Sequence, residues 1–280
     1  MKMVKLVDLT QKILMKHIDS DTGFAEVFLL GYCTDDEAGE HISRYTFASI
    51  FVHGLVLDVA AGSCYGSSIL RRTDAVKSVV SVDIDRDLLN YGKMGYDLDW
   101  FLCADAAHLP FKEMSFDSIV SIETLEHIRD QEAFLSNIKL CLKRGGELII
   151  SFPNKMYTSP FTPKPLNPYH ANELYLGPLL TLLKSQGFKI ASIYGGRKVS
   201  SLELIRRIFG HLLKSLLGKL SLKPYLMDAI YRSTLDAVIR KRWKATTLVD
   251  PDPSLFTYEE LKAASNVVLY QYFVIHALKS

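Results

Sequence analysis

The sequence is poor in the features that mark secreted and membrane-spanning proteins. Its four cysteines, Cys33, Cys64, Cys103 and Cys141, include no C-x-x-C pair, which argues against a zinc knuckle and against a secreted disulfide scaffold. No basic stretch followed by an apolar one opens the chain, and no run approaches the ~20 apolar residues that cross a bilayer. We therefore expect reduced thiols and a cytoplasmic protein without a membrane-spanning segment.

Net charge is also small, but it is unevenly distributed. The 33 Lys and Arg residues nearly balance the 31 Asp and Glu residues, yet residues 197–244 hold twelve basic residues against three acidic ones. This surplus indicates a local surface for an anionic partner rather than a protein that coats nucleic acid. A hydrophobic content of 48% excludes a disordered chain, and 280 residues suit one large domain or one domain with an appendage.

From residue 55 onward, short β-branched runs alternate with helical patterns, which predicts βαβ units and a parallel sheet. The seven runs are 55–60, 78–84, 100–104, 116–122, 147–152, 189–194 and 267–278. The first 50 residues also have a helical pattern. After the sixth run, residues 202–220 place apolar residues at helical spacing with basic residues opposite, and a second helical pattern covers 225–244.

Residues at three strand ends predict a nucleotide-type site. The stretch 55–66 passes from a buried strand into small residues and then a helix, so backbone N–H groups can approach a ligand closely. Asp83 ends the second strand, where a carboxylate can accept both hydroxyls of a ribose. Asp105 follows the third strand and is placed to accept a hydrogen bond from an adenine amino group.

Several motifs follow one another in an informative order. They are HISRYTFA (41–48), VLDVAAGSCYGS (56–67), VSVDID (80–85), DAAHLPF (105–111), FDSIVSIETLEHI (116–128), LKRGGELIISFPN (142–154) and NPYH (167–170). Together they resemble class I S-adenosylmethionine-dependent methyltransferases, in particular those associated with glycan and cell-surface polysaccharide biosynthesis. The resemblance covers about residues 40–195 and the last strand.

The resemblance implies an architecture. We expect an α/β fold with a Rossmann-like seven-stranded methyltransferase sheet in the order 3-2-1-4-5-7-6, the last strand antiparallel. An N-terminal helical cap (1–50) would precede the core (51–196 and 266–280), and a basic helical insertion (197–265) would serve as a substrate lobe.

The resemblance also implies S-adenosylmethionine as the methyl donor and S-adenosylhomocysteine as the product. Asp83 would bind the ribose diol, Asp105 with Ala106 would face the adenine, and Glu123 would lie beside the methionine end. Arg44 is the candidate for the methionine carboxylate, with a helix-surface ion pair as the alternative. The implied cofactor-binding set is Arg44, Asp58, Ala60, Gly62, Asp83, Ile84, Asp105, Ala106 and Glu123.

Ala60 and Cys64 stand where the family often has glycine. If Cys64 needs a positive φ, the strain costs ~1 kcal/mol, and its thiol would crowd the cofactor. A catalytically silent methyltransferase-like binding protein therefore stays an alternative. A nicotinamide-dependent dehydrogenase is disfavoured, because it needs a G-x-G-x-x-G loop that residues 60–66 do not provide.

A hydroxyl acceptor would need a general base. His170 is the first candidate, with Glu126 and Tyr157 behind it; the alternative for His170 is a structural loop histidine, while His127 is interpreted as a helix or supporting residue. No metal-ligand pattern is visible in the sequence, which predicts a metal-independent enzyme.

The basic segment predicts an anionic acceptor, either a small molecule such as a nucleotide-sugar or a glycan or lipid-linked molecule, or else contact with an anionic membrane surface. The expected contacts are Arg206, Arg207, Lys214 and residues 240–244.

Overall fold

Eight strands form one sheet in the computed structural model, which describes residues 2–17, 29, 35–205, 208–209, 258–260 and 270–280. The order across the sheet is β3-β2-β1-β4-β5-β8-β6-β7. The strands are β1 (Gly54–Val59), β2 (Val76–Asp83), β3 (Trp100–Cys103), β4 (Phe116–Ser121), β5 (Leu142–Pro153), β6 (Phe188–Lys198), β7 (Tyr258–Glu260) and β8 (Tyr270–Lys279).

Strand direction agrees with the expected topology. Strands β1 to β5 pair in parallel, and β8 runs antiparallel to both of its neighbours, β5 and β6. With β8 counted as the seventh strand, the predicted order 3-2-1-4-5-7-6 is confirmed. Strand β7 was not predicted from the sequence. It pairs antiparallel with residues 194–196 of β6. Three residues are too few to show an alternating pattern.

Helices accompany the sheet in the part of the chain that the structure describes. Those with defined bounds are α1 (Lys2–His17), α2 (Asp35–Ala48), α3 (Tyr65–Arg71), α4 (Arg86–Gly95), α5 (Gln131–Cys141), α6 (Lys155–Thr158) and α7 (Leu176–Ser185), and residues 201–205 and 208–209 are also helical. The predicted helix 225–244 and the predicted acceptor contacts Arg206, Arg207, Lys214 and 240–244 lie outside the described residues. Across the ranges that the structure describes, none of the helices combines the length and apolar content needed to traverse a bilayer.

The central strands are buried on both faces. Neighbouring residues of a strand point to opposite faces, and Val56 and Leu57 of β1 are both fully buried. Leu57 belongs to a core that includes Phe134 of α5 and Leu179 of α7, whereas Val56 belongs to a second core that includes Leu70 of α3. Each such side chain contributes about 1.5–3 kcal/mol of burial. The sheet is thus a rigid platform whose strand ends can present ligand-binding groups.

Candidate cofactor and acceptor site

The loop after β1 leaves room for a ligand directly above its backbone. Ala60, Gly62 and Cys64 all have positive φ, at 58°, 54° and 64°. A Cβ built on Gly62 would meet no atom within 4 Å. An open space above a glycine in a left-handed conformation is the cradle that a closely approaching ligand requires.

Asp83 braces this loop from the carboxyl end of β2. Its Oδ2 accepts the Gly62 N–H at 2.8 Å, and its Oδ1 accepts the Asp85 N–H at 2.8 Å. Burial raises the pKa of Asp83 from its usual value, against the effect of the two backbone hydrogen bonds. Beside it, the apolar side chain of Ile84 is 72% exposed. A structural role for Asp83 thus accompanies the predicted ribose contact.

Asp105 and Ala106 follow the neighbouring strand. Asp83 pairs with Cys103 at the end of β3, so the two predicted nucleotide-binding carboxylates belong to adjacent strand ends. The Asp105 carboxylate is half exposed and accepts the Ala107 N–H at 2.9 Å. This hydrogen bond, together with one from His108, lowers the pKa of Asp105, so the side chain is an ionised acceptor at neutral pH.

Asp58, which the resemblance assigns to the cofactor-binding set, has a carboxylate that the protein itself encloses. Its carboxylate is fully buried and accepts hydrogen bonds from the Tyr45 hydroxyl at 3.1 Å and the Ser67 hydroxyl at 2.6 Å. Burial raises its pKa to about 7. Tyr45 lies on α2 and Ser67 on α3, so Asp58 ties both helices to β1, and any effect on the cofactor acts through the loop that those helices support.

Cys64 has the left-handed conformation that the sequence analysis considered, but its thiol lies elsewhere than expected. The side chain is fully buried in a cluster with Ala61 and Leu89. A Cβ on Gly92 of α4 would lie 2.6 Å from both Cβ and Sγ of Cys64. The thiol therefore packs against α4, and the expected crowding of the cofactor by this side chain is wrong.

Glu123 and Arg44 lie together next to the loop after β4. Glu123 has a positive φ of 49°, and its Oε1 accepts a hydrogen bond from the Ser151 hydroxyl at 2.6 Å. Arg44 Nε is 3.8 Å from the same Oε1, and its guanidinium stacks over the Tyr272 ring at 3.9 Å. Arg44 does form ion pairs, with Glu123 and with Glu40 at 3.7 Å, but it is buried and not on the helix surface as the alternative had it. A contact with a methionine carboxylate stays a prediction.

On the acceptor side, two distant segments meet. His170, in the loop after α6, packs edge-to-face against His127 with ring centroids 4.9 Å apart. Glu126 Oε1 is 3.9 Å from His127 Nε2. Backbone hydrogen bonds join the segments, because the N–H groups of Ala171 and Asn172 both donate to the Glu126 carbonyl, at 2.7 and 3.0 Å.

Burial controls the protonation of this cluster. Glu126 is 1% exposed, and burial, with the nearby charge of Glu123, raises its pKa. Burial and the neighbouring His170 lower the pKa of His127. Tyr157, the third predicted catalytic residue, makes different contacts: its hydroxyl accepts from Gln271 Nε2 at 3.0 Å and donates to Glu203 at 3.3 Å.

Two partners of the site were missing from the sequence analysis. Glu173 is buried, and its Oε1 accepts from Nδ1 of His170 at 2.5 Å, a contact that the H-x-x-E spacing within NPYHANE could have suggested. Asp85 accepts hydrogen bonds from Lys16 at 2.8 Å and His17 at 2.6 Å, which join α1 to the start of α4. Nothing local in the sequence pairs residues so far apart.

Comparisons with known proteins relate part of this chain to methyltransferases. Residues 57–150 match the methyltransferase domain family. A protein of Mycolicibacterium smegmatis named "Probable S-adenosylmethionine-dependent methyltransferase" is 31% identical over 140 residues, which are 50% of this chain and 54% of that protein. A fatty-acid O-methyltransferase of the same organism is 23% identical over 175 residues, 56% of this chain and 64% of that protein.

Solved structures share the fold. An S-adenosylmethionine-dependent methyltransferase from Archaeoglobus fulgidus superposes with a TM-score of 0.52 at 15% identity, covering 88% of this chain and 95% of that one. The chain spans about half the length of the first curated relatives it matches. Residues 57–150 are thus similar to a methyltransferase domain, and the fold is shared with solved methyltransferase structures. Membership of the whole chain in class I and the association with glycan biosynthesis stay predictions.

Proposed function

We propose that this chain, whose residues 57–150 form a methyltransferase domain on the class I fold, transfers a methyl group from S-adenosylmethionine to a hydroxyl or other nucleophile of an anionic acceptor. One observation carries the proposal. Asp83 holds the Gly62 amide in place while the space above Gly62 stays open, at the strand ends where open α/β sheets bind ligands.

The residues present fit S-adenosylmethionine, which supplies an electrophilic methyl group on a sulfonium. Asp83 would accept the ribose hydroxyls with the lone pairs that Gly62 and Asp85 leave unused. Asp105 would accept from the adenine amino group, and the exposed Ile84 would cover the base. Glu123, beside Arg44, would hold the amino end of the methionine. S-adenosylhomocysteine would leave as the product.

For the acceptor, the chain offers an oriented histidine. The Glu173 carboxylate accepts the Nδ1 proton of His170, which turns the opposite ring nitrogen, Nε2, into the proton acceptor. Thr158 donates to Glu173 at 2.7 Å and keeps that carboxylate in place. A hydroxyl held against Nε2 could then lose its proton as the methyl group is transferred.

The acceptor we propose is glycan- or lipid-linked and anionic, and it would be met in the cytoplasm at an anionic membrane surface. The positive surplus of residues 197–244 supports this. So do three exposed apolar side chains where this segment begins, Leu202, Ile205 and Phe209, which are 57–64% exposed. Apolar side chains beside basic ones are typical of surfaces that contact lipid headgroups. A fatty-acid O-methyltransferase among the relatives is consistent with a lipid acceptor.

The alternative, a catalytically silent binding protein, depends on Cys64 through backbone strain and through crowding of the cofactor. The thiol packs against Gly92, which removes the argument from crowding, whereas the left-handed conformation at Cys64, with φ 64°, still favours this alternative. The proposed substrate lobe, residues 197–265, and the helical cap, residues 1–50, keep the roles that the sequence analysis assigned to them as parts of this proposal.

The test uses S-adenosylmethionine with a labelled methyl group and a panel of acceptors: a fatty acid, a polyprenyl-phosphate-linked sugar and a nucleotide-sugar. We expect label in an anionic acceptor and stoichiometric S-adenosylhomocysteine. Raising the ionic strength should weaken acceptor or anionic-vesicle binding but leave cofactor binding nearly unchanged. Neutralising Arg206, Arg207 and Lys214 together should act in the same direction. Unchanged turnover and vesicle binding in that variant would contradict the anionic acceptor, and failure to bind the cofactor would contradict the whole proposal.

A further inference from the structure

We infer that Glu126, His127 and His170 bind a divalent transition-metal ion through one carboxylate oxygen and two imidazole nitrogens. Each residue offers one ligand atom, and the three atoms lie within 4.8 Å of one another. Metal–ligand bonds of about 2.0–2.2 Å place neighbouring ligands roughly 3 Å apart. Small side-chain rotations, of about 1 Å at the ligand atoms, would therefore complete the site.

Both histidines are oriented as metal ligands usually are. His127 Nδ1 is 3.2 Å from the Tyr169 carbonyl, and His170 Nδ1 is 2.5 Å from the Glu173 carboxylate. Because a carbonyl oxygen can only accept, Nδ1 of His127 carries the proton, and a neutral ring then has its lone pair on Nε2. Metal-binding histidines commonly donate their other N–H to a carbonyl or carboxylate in this way.

Glu126 gives independent support for a bound cation. The residue is 1% exposed, and its Oε2 has no hydrogen-bond partner among the described residues. A buried polar atom without a partner is costly in free energy. Its other oxygen, Oε1, lies 3.9 Å from His127 Nε2, so this oxygen faces the His127 ring. A cation bound there would compensate the negative charge of a buried carboxylate that lacks a full set of hydrogen bonds.

The backbone holds the ligands in register. Glu126 and His127 form the 3-10 turn Leu125–His127 after β4, and the hydrogen bonds from Ala171 and Asn172 to the Glu126 carbonyl fix the loop that carries His170. Ligands from two segments are thus positioned by main-chain contacts rather than by side-chain packing alone, as a preorganised metal site requires.

The donor set indicates the class of ion. Two imidazoles and one carboxylate suit zinc, manganese, cobalt or iron in the divalent state, whereas magnesium prefers oxygen ligands alone. Three protein ligands leave coordination positions open. In the proposed reaction, and resting on that proposal, an acceptor hydroxyl bound there would lose its proton to water more readily, and His170 Nε2 would then be a ligand of the ion instead of the proton acceptor. This inference replaces the metal independence predicted from the sequence.

The test is a titration of the full-length, metal-stripped protein with CoCl2, monitored by the visible d–d absorption of the ion. We expect one equivalent per chain, and affinity reduced at least tenfold in His127→Ala, His170→Ala and Glu126→Gln. The matched control is His53→Asn, an exposed histidine outside the cluster, which should bind like the wild type. Absent or non-stoichiometric binding, or equal binding by all variants, would overturn the inference.

Two further measurements keep the result interpretable. Circular dichroism shows whether each histidine variant folds. If one does not, electron spin echo spectroscopy of the Mn²⁺-loaded wild type must still show coupling to imidazole nitrogen. A spectrum without this coupling would overturn the inference. Calorimetry of S-adenosylmethionine binding is run separately. If the protein binds the metal but not the cofactor, the proposed function is refuted and the metal site is not. If it binds the cofactor but not the metal, only the metal site is refuted.

Discussion

The cofactor side and the acceptor side of the candidate site are built in different ways. On the cofactor side, Gly62, Asp83 and Asp105 stand at the ends of successive strands, and their main contacts are to backbone N–H groups. On the proposed acceptor side, Glu126 and His170 come from segments more than 40 residues apart, and the proposed chemistry depends on the side chains of both. Carboxylates fixed by backbone N–H groups keep their positions when neighbouring side chains vary, whereas a cluster of side chains in mutual contact depends on each member.

The largest effect is expected on the acceptor side. His170→Ala should lower kcat by about 10²–10⁴-fold, because it removes the proposed proton acceptor, while the affinity for S-adenosylmethionine stays the same. Steady-state kinetics and calorimetry on the same preparations measure both quantities, with His53→Asn as the control. A parallel loss of cofactor affinity would show that the two sides are not independent.

A substitution at Gly66 tests how much the cofactor side depends on the packing of Tyr45 against the helix that follows the loop. A Cβ there would lie 2.1–2.3 Å from ring atoms of Tyr45, the donor to Asp58. Gly66→Ala should therefore lower the free energy of unfolding by about 3 kcal/mol, through overpacking and the lost hydrogen bond. Urea unfolding measures this change. Gly95→Ala, with no atom within 4 Å of its Cβ, is the control and should leave the free energy of unfolding unchanged or raise it by up to about 1 kcal/mol.

Asp83 tests the cofactor contact itself. Asp83→Ala should weaken S-adenosylmethionine binding by about 1–3 kcal/mol, through lost hydrogen bonds to the ribose and a less ordered Gly62 amide. Asp99→Asn is a matched control, because Asp99 precedes β3 at the opposite end of the strand and pairs with Arg71. Calorimetry that finds equal affinities for both variants would place the ribose contact elsewhere.

Cys64 and Gly92 test the packing of the loop against α4. Gly92→Ala should destabilise the protein by about 1–3 kcal/mol, because its new Cβ would meet the Cys64 side chain. In a Cys64→Gly background, which also removes the strain at φ 64°, most of that cost should disappear. The double-mutant cycle is measured by thermal unfolding. Cofactor affinity should be unchanged or tighter in Cys64→Gly, and a large loss would mean that the thiol supports the site.

The smallest effect concerns pH. Although burial opposes it, hydrogen bonds from Lys16 and His17 lower the pKa of Asp85 from 3.8 to about 2. A lowered folded-state pKa adds stability above about pH 4, and this stability is lost as the pH falls toward 2. Because Lys16 is half exposed, we expect only about 1 kcal/mol. Asp85→Asn, which keeps a capping side chain for α4, should be less stable than the wild type at pH 6 and equal to it near pH 2, measured by chemical denaturation.

How well each region could be predicted depends on how far apart in the sequence its contacting residues lie. The positions of Gly62, Asp83 and Asp105 follow from short motifs, because a strand that ends in a turn brings its own ligand-binding residue to the edge of the sheet. The strand order was implied by the family resemblance. Asp58 belongs to the same motif, but the motif cannot show that Tyr45 and Ser67 enclose its carboxylate. The extra strand β7 was missed because three residues carry no periodicity.

What the amino-acid order alone determined is therefore the βαβ succession and the small-residue loop with its carboxylates, which depend on local periodicity and strand-end position. The order of the seven strands was implied by the family resemblance. Packing between distant elements decided three other features. The Cys64 thiol packs against Gly92, and α1 is bound to Asp85. Glu126 and His127 lie beside His170, which is paired with Glu173. Side-chain direction at such places depends on neighbours far along the chain, and only the folded arrangement supplies them.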